Sequence, residues 1–196
     1  MKKIILIVLV VFISIGSYSQ KKKAASNTKS TSALAKIDNL TAEIKSGNFQ
    51  LAISENGKPK DVIVIKAADA KFIPTDCKLI AFKANGAQLH LLTWSEKTTT
   101  KTDLKTENST TVNSKIFEIN SKAEVFSNYQ ITNLIVEIVF LDRLKNASET
   151  QERIRREGFE FILNADGSIL QKNKTQELKW IYDVKGVKYN EVKKKK

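Results

Sequence analysis

The sequence predicts a mainly β protein: an antiparallel β-sandwich or open barrel of hairpins with one short α-helix, after an N-terminal signal peptide. Three observations predict it. Apolar and polar residues alternate with period two through most of the chain. Dipeptides of the Asn-Gly kind interrupt that alternation at short intervals, and such pairs favour two-residue hairpin turns. The most apolar segment after the first twenty residues is rich in β-branched side chains, which pack better on a pleated surface than on a helix.

The elements follow in order. Lys2 and Lys3 precede an apolar run, Ile4 to Ile15, broken only by Ser14. Small residues then occupy Ser17 and Ser19. A basic start, a short apolar stretch and a small-residue end define a secretory signal over 1–19, cleaved after Ser19. Its ending resembles the signal ends of exported bacterial proteins, a resemblance confined to that segment. A spanning helix needs about 20 apolar residues, so the run is too short for a permanent anchor. Residues 20–33 carry Lys21, Lys22 and Lys23 among small polar residues and read as a disordered basic leader.

A single β-rich domain is expected over 34–192, with a basic tail at 193–196. Residues 40–66 read as a three-stranded meander broken at Ser46-Gly47 and Asn56-Gly57. Lys78 to Lys83 meets Gln88 to Ser95 across Asn85-Gly86. Phe159 to Leu163 meets Ser168 to Gln171 across Asp166-Gly167. Leu178 to Val184 meets Val187 to Val192 across Lys185-Gly186, the weakest of these turn signals. Residues 96–112 are rich in Thr, Lys and Ser and read as a flexible loop or a solvated edge hairpin. Ile131 to Leu141 reads as a central strand covered on both faces. Ser148-Glu149-Thr150-Gln151 is a capping box. With Arg153, Arg155 and Arg156 near the far end and Gly158 beyond, it predicts the short helix.

Composition excludes several functions. One Cys and one His, in 196 residues, cannot supply a disulfide within the chain, a Cys-rich zinc site or a pair of imidazole ligands. Cys77 reads as a small buried hydrophobe. His90 lies mid-strand without a neighbouring nucleophile motif. No catalytic residue, metal or cofactor is expected.

Four residues are candidate ligand contacts. Glu137 is a carboxylate inside an apolar strand, where it must find a partner or shift its pKa. Trp94, Trp180 and Tyr182 could form an aromatic platform, although Trp180 and Tyr182 share a strand face with Leu178 and Val184, which argues for core packing. The net charge is +12 and is concentrated at the ends, at Lys21, Lys22, Lys23, Lys193, Lys194, Lys195 and Lys196. Such ends either contact an anionic envelope surface or keep a tail solvated. Export and the absence of aromatic residues among the lysines argue against nucleic acid.

The expectation is therefore a periplasmic or secreted protein of the cell envelope, binding or assembling with an envelope protein, and not an enzyme. The alternative is a carrier of a small ligand or glycan in a β-sandwich or barrel cavity. A hydrolase using Glu137 or His90 ranks last, because no motif specifies the chemistry.

Overall fold

The structure, a computed structural model, describes residues 33–193 of the chain. The expected signal segment, residues 20–32 of the leader, and Lys194, Lys195 and Lys196 lie outside the described residues.

The described chain is mainly β, with thirteen strands in three antiparallel sheets. The first sheet holds β1 (Ala33–Ile37), β2 (Leu40–Lys45), β3 (Asn48–Glu55) and β4 (Lys58–Ala67). The central sheet holds β5 (Thr75–Ala84), β6 (Ala87–Lys101), β7 (Lys105–Glu118), β8 (Ala123–Phe140) and β9 (Ser148–Gly158). The last holds β10 (Glu160–Leu163), β11 (Ile169–Lys172), β12 (Glu177–Asp183) and β13 (Lys188–Glu191). Strand order within every sheet follows chain order, so the fold is three meanders in series. The meander over 40–66 and the three later hairpins form where predicted, although beyond Lys185-Gly186 the positive φ falls on Val187 rather than on the glycine. At Asn56-Gly57 both residues have positive φ, 50° and 74°, the combination that joins twisted strands without splaying them.

Strand alternation on β6 creates two cores. Leu92 and Trp94 face the first sheet and pack with Ala42, Phe49, Leu51 and Phe117. Phe49 meets Trp94 edge-on at 5.1 Å. Leu89 and Leu91 face the last sheet and pack with Ile116, Phe126, Ile169, Tyr182 and Tyr189. Phe126 lies edge-on to Trp180 and Tyr189 at 5.5 and 5.4 Å. The central sheet is thus a shared layer with one smaller sheet on each face, rather than one half of a two-sheet sandwich.

Two expectations are corrected. Residues 148–158 are strand β9, not a helix. The capping box and end charges are short-range effects, stabilising by about 1–2 kcal/mol together. The segment has one large apolar residue, Ile154, and so no apolar helix face to bury. As a strand it forms eleven consecutive pairs with β8, with Ile154 opposite Leu134. Cross-strand pairs at roughly 0.2–1 kcal/mol each outweigh the caps. Residues 96–112 are not a flexible loop. They form the outer halves of β6 and β7, paired from Glu96↔Thr111 to Lys101↔Thr106. Threonine suits a solvated strand as well as it suits a loop, so composition alone does not separate them.

Candidate functional site

Both cores stop at the same height along the central sheet, and each is closed by hydrogen-bonded polar groups. On the first-sheet face, Glu96 accepts from the Trp94 indole at 2.9 Å, from Asn113 at 3.2 Å and from Lys66 at 3.1 Å. On the last-sheet face, Trp180 donates its indole N–H to Gln171 Oε1 at 2.7 Å. Gln171 donates to Asn128 Oδ1 at 2.7 Å, and Asn128 donates to the Phe159 carbonyl at 3.0 Å. Trp94 pairs with Asn113 across β6 and β7, and the neighbouring Ser114 pairs with Asn128. The two polar collars therefore sit back to back.

Beyond the collars, β6, β7, β8 and β9 continue as a ledge whose side chains join neither core. Its turn is tight: Thr102 N–H donates to the Lys105 carbonyl, and Ile138 N–H donates to the Leu104 carbonyl. The two faces of the ledge differ. One is ionic. Arg153 pairs with Glu137 at 3.3 Å, Lys105 with Glu107 at 2.7 Å and Arg155 with Glu157 at 2.5 Å. The hydrogen bond from Lys105, assisted by Arg155 and Arg153, holds the Glu107 carboxyl below its ordinary range. Ile135 is buried in the row between Glu107 and Arg153. The other face carries Leu134, Val136, Ile138 and Phe140 on β8, with Ile154 on β9. Ile154 is 60% exposed and Ile138 is 40% exposed.

Strand β9 forms one free edge of this ledge, and the outer half of β6, Glu96 to Lys101, which β5 does not reach, forms the other. Ladder bonds from Leu141 N–H to the Ala147 carbonyl and from Phe159 N–H to the Tyr129 carbonyl fix which β9 residues bond β8. By antiparallel alternation the odd-numbered residues do. The backbone N–H and C=O groups of Ser148, Thr150, Glu152, Ile154 and Arg156 point outward. No register shift interrupts the β8–β9 pairing. The outer strand of the first sheet, β4, carries Pro59 and pairs through two irregularities, features that spoil an edge for further pairing.

At the inner end of β9, a cleft of about 570 Å³ lies between Gln130, Arg156 and Gly158 of the ledge and the β11–β12 turn, Lys172 to Thr175. Arg156, Lys172 and Lys174 line it beside Glu157 and Glu160. None of those three cations is ion-paired within the described residues.

The candidates from the sequence are scattered rather than gathered. Trp94 is 2% exposed in one core. Trp180 and Tyr182 belong to the other, on opposite sides of the central sheet from Trp94. Glu137 is on the ledge, half-buried and paired with Arg153. Lys193 is exposed at the end of the described chain. Cys77 is half-buried, and burial pushes its thiol up from its ordinary value. His90 is buried near the start of β8, far along the sheet from Glu137, and burial lowers its pKa. No helix among the described residues is long and apolar enough to cross a membrane. No group of His, Cys, Asp or Glu among them could hold a metal ion. The residues that sequence reasoning missed are Ile154, Arg156, Lys172 and Lys174. With Ile154 the one apolar residue in 148–158, no period separates strand from helix there, and nothing in the spacing of the other three brings them to it.

No known protein family, curated protein or solved structure matches the chain.

Proposed function

We propose that the chain is an exported, non-enzymatic binding or assembly component of the cell envelope, and that its ledge holds a protein partner. One observation carries this reading: the central sheet continues past two closed cores and presents an uncovered apolar strip beside a free strand edge. An unfinished core would leave indole N–H groups and strand ends open to water. Here both collars satisfy those groups, so the ledge is outside the cores by construction. Exposed apolar surface bounded by polar residues marks contact sites, and a long unbroken edge offers backbone groups for pairing. The lysines at both chain ends would add weak, salt-screened attraction to an anionic envelope surface.

The test is site-specific photocrosslinking in the cell. A photoreactive side chain at Ile138 on the ledge should capture a defined protein that survives high salt. The same group at Ile181, exposed on the last sheet, should not. Equal capture from both positions, or none from Ile138, overturns the reading.

The cleft favours a second reading, a carrier of a small anionic ligand held by Arg156, Lys172 and Lys174. Under it, Lys172→Gln with Lys174→Gln removes ligand retention and leaves Ile138 crosslinking unchanged.

A further inference from the structure

We infer that the partner at the ledge edge is a second copy of this chain, its β9 laid antiparallel on the first across a two-fold axis centred at Ile154. The inference rests on the reading of the ledge as a protein contact and names the occupant. Strand β9 separates its charges along its length. Glu149 and Glu152 occupy the first half, and Arg153, Arg155 and Arg156 the second, with Glu157 beside Arg155. An antiparallel copy can set Glu152 against Arg156 on both sides of a two-fold axis, which a parallel copy would not.

Register follows from two constraints. A two-fold axis perpendicular to the sheet keeps each face continuous, so residues on one face meet residues on the same face. The outward backbone groups belong to even-numbered residues, so even must pair with even. Among the registers these rules permit, centring on Gln151 keeps only Ser148 to Ile154 in the join and sets Ile154 against Ser148, and centring on Glu152 opposes two carboxylates at the axis. Centring on Arg153 or Arg155 opposes two guanidinium groups there. Centring on Ile154 places Ile154 against Ile154 of the second copy and aligns Glu152 with Arg156 on both sides of it. The cost falls on the ionic face, where Arg153 meets Arg155 of the second copy. Each already has a carboxylate in its own chain, Glu137 and Glu157 respectively.

Pairing also widens the apolar face. Leu134 lies beside Ile154 within each copy. The join creates a row of Leu134, Ile154, the second Ile154 and the second Leu134 across a continuous sheet.

The experiment uses the full chain, purified as the cell processes it, with Cys77→Ser as background. Ile154→Cys places two thiols directly opposite across the join, within the 4.4–6.8 Å Cα range that a disulfide spans. Under mild oxidation it should run as a covalent dimer. Glu152→Cys separates the thiols by four residues, roughly 13 Å along the strand, and should stay unlinked. By sedimentation equilibrium the Cys77→Ser parent should show twice the chain mass, and Ile154→Lys the mass of one chain with an unchanged circular dichroism spectrum. A parent that stays monomeric at every concentration, or equal linkage of the two cysteine variants, overturns the homodimer. If Ile138 crosslinking then still captures another envelope protein, the ledge remains a contact site and only the identity of its occupant was wrong. If Ile138 captures nothing, the reading of the ledge falls as well.

Discussion

Gly158 joins the ledge to the last sheet, and replacing it tests how tightly the two are coupled. Its φ is +79°, in the left-handed region where a Cβ is disfavoured. A Cβ built there stands 2.3 Å from the Tyr129 carbonyl oxygen and 3.2 Å from its carbon. That carbonyl accepts the Phe159 N–H, so it cannot swing away without loosening the ladder. Gly57 supplies the control. Its φ is nearly the same, +74°, and nothing lies within 4 Å of a built Cβ. Gly57→Ala should therefore show the conformational penalty alone, about 1 kcal/mol. Gly158→Ala adds an overpacking term of about 1–3 kcal/mol, because backbone has to move. The expected total is about 2–4 kcal/mol. At this size each kcal/mol lowers Tm by about 2–4 °C, so Gly158→Ala should melt well below Gly57→Ala. Urea unfolding followed by near-ultraviolet circular dichroism gives both differences directly. Equal losses for the two variants would refute the close approach at Tyr129 as the reason for glycine at 158.

Two further outcomes follow from buried polar groups. Burial lowers the His90 pKa below its ordinary value of 6.5, and this outweighs the opposing pull of Asp38 and Glu118. On acidification the unfolded chain takes this proton first. Stability should therefore hold above about pH 7 and fall below about pH 6.5, by at most about 1.4 kcal/mol per pH unit. His90→Gln should flatten that slope in urea titrations between pH 7 and 5, and an unchanged slope would remove His90 as its source. Gln171→Leu leaves both the Trp180 N–H and the Asn128 Oδ1 without their partner, at a cost of about 2–4 kcal/mol. A loss under about 1 kcal/mol would mean that water takes over both bonds.

The hairpins were legible because their information is local. A turn such as Asn56-Gly57 needs only two residues to set its backbone, and the flanking alternation assigns each side chain a face. The failure at 148–158 shows the same locality working the other way. Every helix signal there, from Ser148 through the arginines to Gly158, acts within one or two turns. The strand depends on β8, which lies in another part of the chain. Gly158 has the positive φ that helix ends and strand junctions both use, so the residue alone does not separate the two. Glu137, a charge in an apolar strand that needs a partner, finds it in Arg153, on the segment whose local signals favour a helix. The collars were not legible at all. Asn128, Gln171 and Trp180 come from three strands, and nothing in their spacing marks them as a chain of hydrogen bonds.

The mismatch at β8 itself bears on function. Its sequence is apolar on both faces from Ile131 to Leu141, the pattern of a strand covered on each side. The fold covers it on one face only partly, with the paired charges around Ile135, and leaves Leu134, Val136 and Ile138 of the other face without a second layer. A binary pattern records that a surface is to be kept from water but not whether its own chain does the covering. Water-exposed apolar area at about 25 cal/mol per Å² is a standing cost unless something removes it. The collars show that the fold closes its own cores before the ledge begins, so the missing layer is not a further sheet of the described chain. What remains is a surface patterned for burial, next to a strand edge on which Glu152 complements Arg156 of its own reverse. A second copy of β9 would satisfy the edge and join the two apolar strips into one wider face.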